Sequence, residues 1–290
     1  MARPPKRPRI ASVDHWQTGR ESDPGFVTAL ARGLEILRAF RPEDELLGNG
    51  ELAERTGIPR STVSRLTQTL TALGYMRYLP RFEKYQLGAG ILALGYRHLA
   101  ASGLRATARP HMQALANAAD CAIAMGTPDR LSMIYIEVCH GAGPMILRLG
   151  VGSRVPIALT SMGRAYISVL PEREREIVLR RLCDADPDGW EETRRSLDDA
   201  MQQYRTQGFC LSLGAWHHGI SSAGVAVAMD GGAQILAFNC GGASQRLTQS
   251  VIERQFGPAL ADMAERIRRD LFTAGPTATP TAVLRSTAGV

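Results

Sequence analysis

One stretch, ELAERTGIPRSTVSRLTQTLTALGYM, restricts the fold of this chain more than any other. Ala53, Gly57 and Val63 stand at the intervals of two short helices that cross through a tight turn. Ala53 leaves room for the crossing helix, Gly57 supplies the positive φ of a three-residue turn, and Val63, Leu66 and Leu70 face a core. Pro59 suits the entry to a second helix that starts near Arg60. The outward face of that helix carries Arg60, Ser61, Thr62, Ser64, Arg65 and Gln68. These short hydroxyls and long hydrogen-bonding forks suit the base edges and phosphates of double-stranded DNA.

After a stop at Gly74, Tyr75–Leu79 and Tyr85–Leu87 predict two short strands around a turn. A hairpin directly behind a recognition helix is a wing, and Arg81 and Lys84 would offer it to a phosphate backbone. Charge follows the same stretch. From Gly57 to Leu87 there are five basic residues (Arg60, Arg65, Arg77, Arg81, Lys84) against Glu83, whereas 104–273 holds 18 Lys/Arg and 18 Asp/Glu. The net charge of +6 therefore lies outside the larger part of the chain. A helical pair with a surface hairpin and no DNA partner shares part of this pattern, but spacing, face, wing and charge together favour DNA.

At 290 residues the chain has room for about two cores. No stretch approaches the ~18 to 20 apolar residues of a membrane span, and the N-terminus lacks a secretory apolar segment, so the expected location is cytoplasmic with no membrane partner. Cys121, Cys139, Cys183, Cys210 and Cys240 are widely spaced, which fits buried thiols rather than a disulfide framework or a metal site. His217-His218, with Cys210 and Cys240 placed on neighbouring strands, is the one constellation that invites a catalytic reading. No carboxylate orients it and no third ligand has suitable spacing, so neither an enzyme, a metal nor a cofactor is expected, although either histidine could touch an effector.

The layout has five parts. Residues 1–25, rich in Pro and Arg, predict a disordered arm, and the Pro/Thr/Ala-rich 274–290 a disordered tail. Residues 26–88 form the winged helix-turn-helix, supported from behind by a helix whose Leu30, Leu34 and Leu37, with Ile36 and Phe40, make one apolar face. Residues 89–103 form a linker helix, apolar enough around Ile91, Leu92, Leu94, Tyr96 and Leu99 to call for a second copy of the chain, and a homodimer also matches a palindromic operator. Residues 104–273 form the second domain. It starts with a helix over 104–119, broken or bent at Pro110, followed by strands over 121–126, 131–139 and 145–149. Helices over 160–170, 172–182 and 190–207 come next, then strands over 209–213, 223–229 and 235–240, with Asp230-Gly231-Gly232 as a hairpin turn. A helix over 247–272, kinked or divided at Pro258, closes an α+β domain on a mainly antiparallel sheet. Within it, 150–156 predicts a flexible loop leading to Thr160-Ser161-Met162-Gly163, where hydroxyls and free amides at a helix start attract a carboxylate. Each of these polar groups alone is also explained by capping.

The segments ALARGLEILRAF, ELAERTGIPRSTVSRLTQTLTALGYM, KYQLGAGILALG and LRLGVGSRVPIALTSMGRAYISVL, with the stretches 208–219 and 238–246, resemble the IclR-type bacterial transcription regulators over about 26–272. The resemblance implies a winged helix-turn-helix joined by a linker helix to a GAF-like effector-binding domain, assembled as a homodimer or a dimer of dimers. The opening ALARGLE looks like the branch regulating aromatic-acid catabolism, such as protocatechuate or hydroxybenzoate pathways. The family's pocket positions fall on Leu147, Ser161, Met162, Ser212, Ser222, Asn239 and Gly241. This chain departs from the pattern at Leu211-Ser212-Leu213-Gly214-Ala215, where an acidic run is usual, and at Ser222. The implied function is a DNA-binding regulator modulated by a small organic acid; the alternatives are a constitutive DNA-binding or architectural protein with no effector, and an enzyme fused to a DNA-binding domain.

Overall fold

The computed structural model describes residues 25–100, 103–143, 149–229 and 234–274. They fall into two compact units, 1–100 and 101–290. The arm, the tail, Leu147 and the Asp230-Gly231-Gly232 turn lie outside the described residues, as does most of the strand expected over 145–149.

The first unit runs α1 (Thr28–Arg38), α2 (Asn49–Thr56), α3 (Arg60–Ala72), β1 (Met76–Leu79), β2 (Lys84–Leu87) and α4 (Ala89–Ala100). Its core gathers Ile36, Leu47, Leu52, Ile58, Val63, Leu70 and Met76. Gly57 ends α2 at φ 70°, and its N–H donates to the Ala53 carbonyl at 2.9 Å, so the turn takes the left-handed conformation that a glycine permits. Arg55 fastens α2 to the preceding loop, donating to the Ala39 carbonyl at 3.0 Å and gripping both oxygens of Asp44. That hydrogen bond holds the Asp44 carboxyl below its ordinary range in spite of partial burial. The hairpin pairs Met76 with Leu87 and Leu79 with Lys84. Leu47 adds to it as a third element, exchanging both backbone hydrogen bonds with Tyr85 at 2.9 and 2.8 Å.

Helix α1 does not have the single apolar face expected. Gly33 and Ile36 are buried, with Leu37 and Phe40 packed beside them, while Leu30 and Leu34 are 62% and 50% exposed. The helix carries two apolar stripes at helical spacing, 27/30/34 and 33/36/37/40, and the core of this unit takes only the second. No residue of α4 is buried.

The second unit is a six-stranded antiparallel sheet in the order β5-β4-β3-β8-β7-β6, with β3 (Ala122–Asp129), β4 (Ser132–His140), β5 (Arg154–Pro156), β6 (Cys210–Leu213), β7 (Ile220–Met229) and β8 (Gln234–Ala243). The helices are α5 (Leu104–Ala119), α6 (Ser161–Val169), α7 (Glu172–Ala185), α8 (Trp190–Gln207), α9 (Gln249–Val251) and α10 (Gly257–Ala274). Three expectations are corrected. Of the break or bend expected at Pro110, the break does not occur, because helix α5 continues through it. The loop expected over 150–156 contains edge strand β5, paired with β4 through Val155 and Met133. Cys210 and Cys240 are not on neighbouring strands, because β7 lies between β6 and β8.

The C-terminal helix is divided near Pro258 as expected, by a π-helical turn over Ile252–Phe256. Pro258 has no N–H to give to the carbonyl four residues back, and the wider register absorbs the missing bond.

Helix α6 lies directly on the sheet because Gly224 permits it, and Gly163 lets its first turn close on the segment that precedes it. A Cβ at Gly224 would stand 2.1 Å from the Ser161 carbonyl oxygen, and one at Gly163 would stand 2.1 Å from that of Ile157. Arg164, also on α6, donates to the carbonyls of Ala158 and Leu211 at 3.1 and 3.0 Å and to the Ser196 hydroxyl at 2.7 Å. One guanidinium thus joins α6, β6 and α8, and its burial lowers its pKa.

Candidate DNA-binding face and effector cavity

Recognition helix α3 buries Val63, Thr67 and Leu70 and turns the opposite face outward. Ser61, Ser64, Arg65 and Gln68 are exposed at helical spacing on that face, and Thr62 is half-buried at its flank. The buried Thr67 hydroxyl donates to Asn49 Oδ1 at 3.2 Å, tying α3 to the first turn of α2. Arg60 is exposed at the start of α3, with its guanidinium beside Gly50, where a Cβ would meet Nη2 at 3.4 Å. On the wing, Arg81 is exposed and sits 5.5 Å from the Phe82 ring centroid. Lys84 pairs with Leu79 at the turn end of the hairpin, as expected, and its ammonium pairs with Glu51 Oε2 at 2.9 Å. The same Glu51 accepts the Gly48 N–H at 2.7 Å, and these bonds, the backbone one first, lower its pKa.

In the second unit a cavity of about 130 Å³ lies along the sheet. Its floor follows from strand register. Ser212, Ser222, Gly241, Ala122 and His140 pair in turn across five strands, and the next row holds Asn239, Ala124 and Val138. Paired residues share a face, so residues far apart in sequence line one wall. Tyr135, Leu149, Thr160, Trp216 and His217 also line it, as do Asp120, Cys121 and Arg246.

Asn239 is central to the chemistry of this cavity. Its Nδ2 donates to the Tyr135 hydroxyl at 3.3 Å, while its buried Oδ1 has no hydrogen-bond partner among the described residues. A buried polar atom left unpaired costs roughly 1–3 kcal/mol, so this wall favours a ligand that offers a donor. Burial pushes the Tyr135 phenol up to about 12, and it remains neutral through the physiological range. Arg246 Nη2 holds Asp120 Oδ2 at 2.7 Å, and Asp120 Oδ1 is buried without a partner among the described residues.

The structure treats the expected pocket residues unequally. Ser212, Ser222, Asn239 and Gly241 line the cavity. Ser161 is fully buried behind it, donating to the Ser222 hydroxyl at 2.8 Å. Met162 does not line it and packs in the core, with its sulfur against Gly126. Ser212 donates to the Leu159 carbonyl at 2.8 Å. Thr160 caps α6, accepting the Gly163 N–H at 3.4 Å, so the expected helix start carries its own acceptor. His217 reaches the cavity, whereas His218 is not among its lining residues. Tyr135, Trp216 and Arg246 were missed. Only the register of β3, β4 and β8 brings Tyr135 to Asn239, and no local motif marks it.

No helix among the described residues is long and apolar enough to cross a membrane. Residues 29–80 match the IclR helix-turn-helix domain model, and residues 97–269 match the model for the C-terminal domain of bacterial transcriptional regulators of the IclR type. The chain is 36% identical over 259 residues to the HTH-type transcriptional regulator TsaQ1/TsaQ2 of Comamonas testosteroni, covering 89% of this chain and 93% of that one. An IclR family transcriptional regulator from Brucella abortus is similar in structure, with a TM-score of 0.80 at 44% identity over 87% of this chain and 95% of that one. An IclR homologue from Microbacterium hydrocarbonoxydans, complexed with 4-hydroxybenzoate, shares the fold at 19% identity, with a TM-score of 0.66 over 85% of this chain and all of the other. These matches span both units, and the chain belongs to the IclR family of bacterial transcriptional regulators, which bind DNA and are not enzymes.

Proposed function

We propose that this regulator senses a small aromatic carboxylic acid in the cavity of its second unit and transmits binding to operator recognition by α3. The observation that carries this reading is a ring-sized cavity with an unpaired acceptor. An apolar cavity of about 150 Å³ holds benzene, and this one, at about 130 Å³, adds polar groups to apolar walls from Val138, Leu149 and Trp216. Arg246 and the Tyr135 and Ser222 hydroxyls offer donors to a carboxylate, and Asn239 Oδ1 accepts from a hydroxyl. The relative complexed with 4-hydroxybenzoate supports the same ligand class.

On the DNA side, Arg60, Ser61, Thr62, Ser64, Arg65 and Gln68 read or position the major groove, and Arg81 with Lys84 holds backbone. The operator is palindromic and the protein acts as a homodimer or a dimer of dimers. The exposed Val27, Leu30 and Leu34 at and in α1 and Leu92, Leu94 and Tyr96 of α4 support that assembly, being large apolar side chains exposed among the described residues. Ligand and DNA are coupled only if the acid binds one arrangement of the regulator better than another.

The test is the thermal midpoint of the purified protein against a panel of aromatic and aliphatic acids, read alongside operator affinity. An aromatic hydroxy acid should raise the midpoint, by an amount equivalent to about 2.7 kcal/mol at a hundred times its Kd, and should change operator affinity. Operator binding indifferent to every acid, with no midpoint shift, would instead identify a constitutive DNA binder.

A further inference from the structure

Two cysteines separated by 119 positions in the sequence, only the first of which lines the cavity, bring their sulfurs to 2.8 Å. Cys121 immediately precedes β3, is partly exposed and lines the cavity. Cys240 is 1% exposed on β8, where it pairs with Ile123 and Ala223. The remaining buried thiols engage backbone instead, Cys139 with the Arg109 carbonyl at 3.8 Å and Cys210 with that of Ala200 at 3.3 Å. Neither DNA reading nor ligand binding uses the Cys121–Cys240 contact.

We propose that Cys121 and Cys240 form a modification site, oxidised by a hydroperoxide to a disulfide that ties the entrance of β3 to β8 and hinders ligand entry to the cavity. The last clause rests on the effector reading above; the thiol chemistry does not. The thiolate of Cys121, the more exposed sulfur, attacks the peroxide. The O–O bond breaks, one oxygen stays on sulfur as a sulfenic acid, and the other leaves as water or an alcohol. The Cys240 sulfur then attacks the sulfenic sulfur, the S–O bond breaks, and water leaves as the S–S bond forms. Two thiols lose two electrons and the peroxide gains them.

The surroundings suit this order of events. The hydrogen bond to Cys121, reinforced by burial, holds the Cys240 thiol well above its usual pKa. Cys240 thus keeps its proton until its neighbour has reacted. The cross-link would add to a junction already held by the ion pair between Asp120, the C-cap of α5, and Arg246.

Full-length reduced protein treated with hydrogen peroxide, then denatured, alkylated and mapped by mass spectrometry, tests the site. The expected product is a linked Cys121–Cys240 peptide with the other three of the five cysteines alkylated, and dithiothreitol restores all five. In Cys240→Ala, Cys121 should stop at a sulfenic acid trapped by dimedone. Five alkylated cysteines after excess peroxide, or a cross-link to any other cysteine, overturns the proposal. The thermal shift given by 4-hydroxybenzoate is then compared between reduced and oxidised protein. Its loss on oxidation and return on reduction supports control of entry, and an equal shift in both states rejects it. If the reduced protein shows no shift, the effector reading fails, and the mapped peptide alone decides the thiol pair.

Discussion

The two units of this regulator hold their chemistry in opposite ways. In the first, the residues assigned to DNA lie within 25 positions, from Arg60 to Lys84, and most are exposed on a scaffold whose core they do not enter. In the second, the cavity is assembled from Ala119 to Leu247 across five strands, and Tyr135, Thr160, Ser212 and Ser222 are buried. A surface site can be altered with little effect on stability, whereas a site in the sheet shares atoms with the packing that makes the fold. The comparison is broken if substitutions in the two sites have the same profile of stability and function.

The largest effect should come from Gly224→Ala. The added methyl would meet the Ser161 carbonyl at 2.1 Å, where two backbones leave no flexible side chain to yield, so α6 must lift from β7. Overpacking of this kind costs about 3 kcal/mol. Unfolding followed by the fluorescence of Trp190 and Trp216, both in the second unit, should show a lowered midpoint. An unchanged midpoint would mean that α6 is not seated on the sheet as described. Arg65→Ala should do the opposite. It is exposed on α3, so the unfolding curve should be unmoved while specific operator affinity falls by roughly 1–3 kcal/mol. Unchanged affinity would remove Arg65 from the DNA face.

A smaller effect separates scaffold from surface within the first unit. Arg55→Ala removes the grip on Asp44 and the Ala39 carbonyl, at a cost of about 1 kcal/mol for a partly exposed pair. Because the Asp44 pKa is depressed in the folded state, this stability is present above the unfolded carboxylate value near ~3.9 and is lost as pH falls through the folded value. The stability gap between wild type and Arg55→Ala should therefore be constant at neutral pH and shrink below about pH 4. A gap that persists in acid would assign the effect to the Ala39 contact instead.

The same contrast explains how much of the molecule was legible in its sequence. Gly57, Val63 and Leu70 act on neighbours within a few residues, so spacing alone was enough to place α2, the turn and α3. Helix α8 was likewise placed over 190–207, between Gly189 and the left-handed Gly208. The apolar stripe of α1 was misread because two stripes satisfy the same periodicity, and only tertiary packing chooses between them. Edge strand β5 has three residues and no alternation to betray it. The cavity was only half legible. Ser212, Ser222 and Gly241 came through family resemblance, but the row that joins them to Ala122 and His140 exists only once the sheet order is known. Met162, named by the same resemblance, packs in the core of the second unit and is not among the lining residues.

The smallest expected effect tests the wing, where the two basic residues are not equivalent. Arg81 is exposed at the turn, with only the face of Phe82 beside it among its described contacts, and its charge is available to a phosphate. Lys84 already has Glu51 at 2.9 Å, so a phosphate must compete with a carboxylate, and DNA binding releases less net charge at that position. Arg81→Ala should weaken binding uniformly across operator sequences and reduce the salt slope by about 1. Lys84→Ala should change the slope less and should also loosen the junction between β2 and the first turn of α2. Glu51→Gln sharpens the distinction, since it frees the ammonium while an amide oxygen can still accept the Gly48 N–H. In that background Lys84→Ala should cost as much salt slope as Arg81→Ala does in wild type. Equal slopes for Arg81→Ala and Lys84→Ala with Glu51 intact would show that the ion pair opens on DNA, and that Lys84 holds the backbone in spite of its carboxylate partner.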